Sequence, residues 1–239
     1  MRLDKLLFET GFGSRRTVKR LIKSKQVEVN GKTILVDNLN VDPQLQEVKV
    51  AGERIQYQPH VYYMLHKPNG VVSAVTDDNN QTVIDLIDPS QRVAGLFPVG
   101  RLDKDTEGLL LLTNNGQLGY QLLIPKKEVT KSYEAIVNER VTSEDKAAFA
   151  KGIVFDGGIK CKPAKLTILS SNNNESRVLL EISEGKFHQV NKMFLSVGKK
   201  VTYLKRLSMG PLELDETLPV GSYRPLYLEE LIALRPYFK

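Results

Sequence analysis

Residues 100–116, GRLDKDTEGLLLLTNNG, place the tightest constraint on what this chain can fold into. Leu109, Leu110, Leu111 and Leu112, followed by Thr113, leave no polar face, so they predict a short strand buried on both sides within a covered sheet. Asn114, Asn115 and Gly116 are expected to end that strand with positive-φ residues. The loop before it holds Arg101, Asp103, Lys104, Asp105 and Glu107 between Gly100 and Gly108, which allow the backbone to bend or be approached closely. Charges carried at the lip of a core strand suit chemistry, and they suit an ordinary solvated loop equally well.

The rest of the composition narrows the class. A chain of 239 residues with 41% hydrophobic content can bury a real core, as one large domain or as a small and a medium one. Cys161 is the only cysteine, so no intramolecular disulfide can form, which fits a reducing compartment. His60, His66 and His188 lack zinc-ligand spacing, and no metal is expected. No apolar run approaches a membrane span, and the first residues lack the apolar core of a signal peptide, so a cytoplasmic protein without a membrane partner is expected. The formal charge of +6 is local: residues 1–32 hold nine Lys or Arg against three Asp or Glu, and the remainder is balanced. A basic patch on a balanced protein points to a polyanion partner.

Leu3, Leu6 and Leu7 fall on one helical face, and Gly11 and Gly13 break that helix. Ser14 is placed to cap a second helix over 15–24, with Val18, Leu21 and Ile22 inward. Arg16, Lys19, Arg20 and Lys23 share the opposite arc of that helix, which Arg15 opens. QVEVNGKTIL alternates around Asn30-Gly31, a strong hairpin signal. Short strands follow with Val48, Val50 and Ile55 inward, and residues 56–60 read as a linker.

Beyond the linker, VYYMLHKPNGVVSAV reads as a strand, a Lys67-Pro68-Asn69-Gly70 turn and a second strand. LGYQLLIP after Gly116 reads as a two-turn helix stopped by Pro125, KSYEAIV as a strand, and 143–151 as a capped helix. Residues 164–169 and 177–182 flank a hairpin loop. In EGKFHQV and the following NKMFLSVGKKV, a helix over 188–197 would bury Val190, Met193, Phe194 and Val197. Asn191 would then sit on its flank, and Lys192 would point away from the core.

GRLDKDTEGLLLLTNNG closely resembles the signature of the pseudouridine synthases of the RsuA type, which act on ribosomal RNA. KPNG resembles that family's KPxG element, KSYEAIV its KxYxV strand and EGKFHQV its EG(K/R)xHQV motif. VTYLKRLSMGPLEL and GSYRPL resemble its closing strand and C-terminus, so the resemblance covers essentially the whole chain. The first two helices and hairpin resemble a small RNA-binding domain named after a ribosomal small-subunit protein. One departure stands out: Asn191 occupies the position where the family has a basic residue that partners its catalytic aspartate.

The resemblance implies an α+β protein. A small helical and hairpin RNA-binding domain, residues 1–58, would precede a catalytic domain, residues 59–239, on a mixed, largely antiparallel sheet. It implies isomerisation of a ribosomal RNA uridine to pseudouridine without a cofactor, with Asp103 as the catalytic residue and Tyr133 in the pocket. Arg101 and Lys67 are candidates to orient the acid or hold phosphate. Asn191 is expected in the cleft, Arg101 or Lys186 as the nearest positive charge, and Lys192 on RNA phosphate. Arg15, Arg16, Lys19, Arg20 and Lys23 are the expected RNA contacts of the first domain. The partner would be ribosomal RNA, small-subunit by the HQV and YRPL elements, or a pre-ribosomal particle, met by a monomer. Large-subunit RNA, or a binding factor without chemistry on the same scaffold, are the alternatives.

Overall fold

A computed structural model describes residues 1–155 and 157–238. Two compact units divide it, one of Met1–Val61 with Tyr227–Lys239 and one of Tyr62–Leu226. The last segment of the chain thus groups with the first, across the boundary expected near residue 58.

In the first unit, helix α1 (Leu3–Glu9) and helix α2 (Arg15–Lys23) are followed by strands β1 (Val27–Val29), β2 (Lys32–Thr33), β3 (Val48–Val50) and β4 (Glu53–Arg54). The strands form an antiparallel sheet in the order β2-β1-β3-β4. Asn30 and Gly31 join β1 to β2 with φ of 50° and 73°, the positive pair that a two-residue hairpin of this twist demands. Leu3, Leu6, Leu7, Val18, Ile22, Val27, Val48 and Val50 make the core. Each such side chain contributes about 1.5–3 kcal/mol by leaving water. The Thr17 N–H donates to Ser14 Oγ, which caps α2 as its sequence requires.

The second unit is built on a nine-stranded sheet. In chain order come β5 (Tyr62–Lys67), β6 (Phe97–Pro98), β7 (Glu107–Thr113), helix α3 (Gly116–Leu123), β8 (Lys131–Val137) and helix α4 (Ser143–Lys151). Then follow β9 (Lys165–Ser171), β10 (Ser176–Ile182), helix α5 (Gln189–Leu195), β11 (Val201–Met209), β12 (Leu212–Glu213) and β13 (Tyr223–Pro225). Helix α6 (Leu228–Leu234) belongs to the first unit. The main path runs β13-β5-β7-β11-β8-β10-β9, with β6 on β7 and β12 on β11. The β7–β11 pair is parallel and the other described pairs of named strands in this sheet are antiparallel. This is the α+β architecture with a mixed, largely antiparallel sheet that the sequence implies.

The leucine run of β7 lies between β5 and β11 with all four leucines at 0% exposure, as its lack of a polar face demands. Its exit differs from expectation. None of Asn114, Asn115 and Gly116 has a positive φ; Asn115 sits at φ −89° and its side chain accepts from Leu118 N–H at 3.1 Å. The strand therefore passes straight into α3 through an N-cap, a side-chain bond that takes over the work of a positive-φ turn.

The segment after Lys67-Pro68-Asn69-Gly70 also differs, because no second strand forms there. Val72 makes an isolated bridge with Thr82, its N–H donating to Gln81 O and its carbonyl accepting from Val83 N–H, each at 3.0 Å, and the residues on either side of it bind the loop before β7. Gly70 N–H donates to Lys104 O at 2.8 Å, while Ser73 Oγ donates to Leu102 O at 2.9 Å and accepts from Leu102 N–H at 3.0 Å. The Ser73 hydroxyl thereby satisfies both backbone groups of Leu102, which a sheet neighbour would otherwise have taken.

Candidate active site

The parallel β7–β11 pairing opens a cleft of about 480 Å³ in the second unit. Its floor carries Lys131 and Tyr133 of β8, Ile182 of β10, and Leu204 and Arg206 of β11. Residues 72–74, 100–104 and 185–190 supply its walls.

The loop bearing Asp103 is held from below. Lys67 is fully buried at the end of β5, and its ammonium donates to the carbonyls of Pro68, Lys104 and Thr106 at 3.0, 3.2 and 2.7 Å. Burial brings its pKa down to about 8, against the raising effect of Asp105, Glu107 and Asp103. All three donors are consumed and the side chain is absent from the cleft wall, so Lys67 cannot hold phosphate as the sequence reading allowed. It staples the loop, while Ser73 grips Leu102 on both backbone atoms one residue before the acid.

Gly108 closes this loop at φ 105°, where a Cβ would stand 2.2 Å from Arg206 O and 2.6 Å from Arg206 N. Only glycine lets β11 pass this close, and that approach brings Arg206 under the acid-bearing loop.

Asp103 keeps a side-chain exposure of 29%, with Oδ1 3.5 Å from His188 Nε2. Burial raises its pKa above the ordinary carboxylate value; His188, Lys67 and Arg101 pull it down and Asp105 pushes it up. The other carboxylate on the wall, Asp77, accepts from the backbone N–H groups of Asn79 and Asn80 and from Asn80 Nδ2, which hold its pKa low. Asp103 is therefore the acid on this wall whose lone pairs are available to a ligand.

Residues 184–190 bind to themselves before they meet the cleft. Lys186 pairs with Glu184, Gln189 Nε2 donates to Glu184 Oε1 at 2.9 Å, and Gln189 Oε1 accepts from Lys186 N–H at 2.8 Å. His188 precedes α5 in the left-handed region at φ 51° and stacks on Phe187, with centroids 3.8 Å apart. The Lys192 ammonium lies 4.8 Å from the Phe187 centroid. A lysine, a phenylalanine and a histidine are thus layered, and the histidine ends against Asp103.

Of the sequence candidates, Asp103, Arg101, Tyr133 and Lys186 line the cleft. Asn191 does not. Because α5 begins at Gln189, the turn presents Gln189 and Val190 to the cleft and leaves Asn191 just beyond the lining residues of this segment. Lys186 lines the wall but is spent on Glu184, and the imidazole of His188 stands nearest to Asp103. Arg15, Arg16, Lys19, Arg20 and Lys23 are all exposed on α2, where the Lys19 ammonium is 3.5 Å from Asp37.

Comparison with known proteins falls in line with this geometry. The model of the RNA pseudouridylate synthase family matches residues 61–196, and that of the S4 domain matches residues 1–46. An uncharacterised RNA pseudouridine synthase of Bacillus subtilis is 48% identical, with 97% of each chain covered. The ribosomal small subunit pseudouridine synthase A of Vibrio cholerae is 37% identical over 98% of this chain and 99% of its own. The ribosomal large subunit pseudouridine synthase B of Bacillus subtilis is also 37% identical, over 98% and 95%. A crystal structure of a pseudouridylate synthase, 35% identical, superposes with a TM-score of 0.67 over 98% of this chain and 99% of that one.

Proposed function

The chain belongs to the RNA pseudouridylate synthase family, and on that premise we propose that it isomerises a specific uridine of small-subunit ribosomal RNA, with Asp103 as the nucleophile. The observation that carries the residue assignment is the state of the Asp103 carboxylate. It lies on the wall of the large cleft, half withdrawn from water, with a histidine beside it and a tyrosine on the floor below.

The reaction exchanges one bond for another. The bond between C1′ and N1 breaks, one between C1′ and C5 forms, C5 gives up a proton and N1 gains one. Substrate and product are isomers, so no redox equivalent enters the balance. The Asp103 carboxylate attacks the sugar's anomeric carbon or the base to release the ring for rotation. A base stacked in a helix must first be extruded, at about a few kcal/mol, and the Tyr133 ring offers the face that repays part of that cost. Arg101, exposed on the wall, would take a flanking phosphate. The N-terminal residues 1–58 would bring the RNA, through Arg15, Arg16, Lys19, Arg20 and Lys23 on α2, with Lys192 adding a phosphate contact in the catalytic domain. The enzyme would work as a cytoplasmic monomer on ribosomal RNA or an assembling particle. Among the described residues no helix is long and apolar enough to cross a membrane.

Mapping pseudouridines in ribosomal RNA from cells with and without this protein tests the substrate. Loss of a single modification in the small-subunit RNA is the expected result. Loss of one in the large-subunit RNA instead would move the assignment to the other class of relative, and an unchanged map would refute the proposal.

A further inference from the structure

Two cations are buried in the cleft floor. Arg206 is 2% exposed, with its Nε donating to Leu109 O at 2.8 Å and its Nη2 buried without a hydrogen-bond partner. Lys131 is 9% exposed and its ammonium makes one described bond, to Val129 O at 2.8 Å. Among the described residues neither forms an ion pair, although Glu184 lies close enough to be felt by Lys131. A buried donor without a partner costs about 1–3 kcal/mol, a cost that an acceptor brought by a ligand would relieve.

Strand geometry says where that acceptor would lie. Lys131 and Tyr133 are two residues apart on β8 and share its inward face, and Arg206 stands directly across from Tyr133 on β11. A ring laid on Tyr133 therefore has its edge beside both cations. The sugar-phosphate backbone of an extruded nucleotide stays at the mouth, where Arg101 and Lys104 are exposed. What reaches the floor is the base. Uracil carries two carbonyl oxygens on its edge and no anionic group until its glycosidic bond breaks.

We propose that Lys131 and Arg206 form an oxyanion site for a ring carbonyl of the target uracil, O2 or O4, and stabilise the charge that develops on the base. The inference rests on the synthase reading above. When C1′–N1 breaks, the electron pair stays with the ring, spread over N1, O2 and O4. It is used again when C5 bonds to C1′, the C5 proton departs and N1 is protonated. Fixed cations at the carbonyl favour the charged ring over the neutral nucleotide, and such a site accelerates the chemical step more than it tightens binding.

The test uses the full-length protein and RNA in which the target uridine carries sulfur at C2 or C4, or a phosphorothioate on its 5′ side. In Arg206→Met and Lys131→Met the single-turnover rate at saturating RNA should fall by about a hundredfold, as when one oxyanion donor is lost. RNA affinity should stay within about threefold. Sulfur accepts hydrogen bonds poorly, so one thio substitution should slow the wild-type enzyme and add little to the loss in Arg206→Met, because both remove the same contact. Arg206→Lys keeps the charge in the core, serves where Arg206→Met does not fold, and should show an intermediate rate. Thio effects of equal size in wild type and variants would overturn the proposal. So would a phosphorothioate effect that vanishes in the variants, since the cations would then be holding phosphate. A wild-type enzyme inactive on every ribosomal RNA would instead remove the synthase reading on which the inference rests.

Discussion

At the scale of single residues, the cleft is a set of charges whose neighbours fix their state. Burial raises the pKa of Asp103, and the nearby charges tune that value in opposite senses. In the proposed reaction the attacking form is the carboxylate, so the acidic limb of kcat/KM should begin above the pH at which a free aspartate ionises. Asp105→Asn removes a like charge, lowers the Asp103 pKa and should move that limb to lower pH. His188→Gln removes the nearest group able to carry positive charge and should move it to higher pH. A pH-rate series under single-turnover conditions checks both, and shifts of the same sign would contradict this electrostatic arrangement. The importance of His188 could have been suspected only from its motif, because its position against Asp103 depends on the left-handed turn that starts α5. Lys131 left a clearer trace. It shares a period-two face with Tyr133, Ala135 and Val137, and a lysine on an inward face is a buried charge. Arg206 stands on the same face as Leu204 by the same rule.

Elements carry the next level of constraint. Gly108 packs directly against the backbone of Arg206 on β11, and an added Cβ would meet backbone atoms that cannot rotate aside. Gly108→Ala should cost about 3 kcal/mol or more of stability, through strain at a positive φ and displacement of β11. Denaturant unfolding would measure it, and a loss below about 1 kcal/mol would show that the sheet can open there without penalty. Helix α2 makes a different kind of prediction, because its exposed face holds cations and its buried face holds Val18 and Ile22. Replacing Arg16, Lys19, Arg20 and Lys23 with alanine should leave the fold intact and flatten the salt dependence of RNA binding. Each lost phosphate contact would remove roughly 0.7–0.9 from the log-log slope. An unchanged slope would mean that this face is merely solvated. Strands and helices with a clear period were legible: the Asn30-Gly31 hairpin, the leucine strand and both N-terminal helices occur where their residues require. The segment after Lys67-Pro68-Asn69-Gly70 was not, because Gly70 N–H and the Ser73 hydroxyl bind Lys104 and Leu102, about thirty residues further along the chain, and Val72 pairs with Gln81 and Val83 across a loop.

For the whole molecule, the division of labour is written in the charge. Nine basic against three acidic residues lie in the first 32, and the remaining chain is neutral on balance. The two units divide accordingly into a basic N-terminal module matched by the S4 domain and a sheet that carries the cleft. What local pattern could not supply is the assembly of the cleft. Its walls come from residues near 73, 103 and 188, and its floor from three strands joined by register. The parallel β7–β11 pairing that brings them together links residues about a hundred positions apart. In the proposed function this assembly puts the Asp103 carboxylate against a uridine. The most direct measurement is pseudouridine formation by purified Asp103→Asn on the wild-type enzyme's own RNA, with binding measured in parallel. The expected result is no detectable product with affinity retained within about threefold, since the substitution removes the nucleophile and leaves the phosphate contacts. Turnover by Asp103→Asn at the wild-type rate would contradict it.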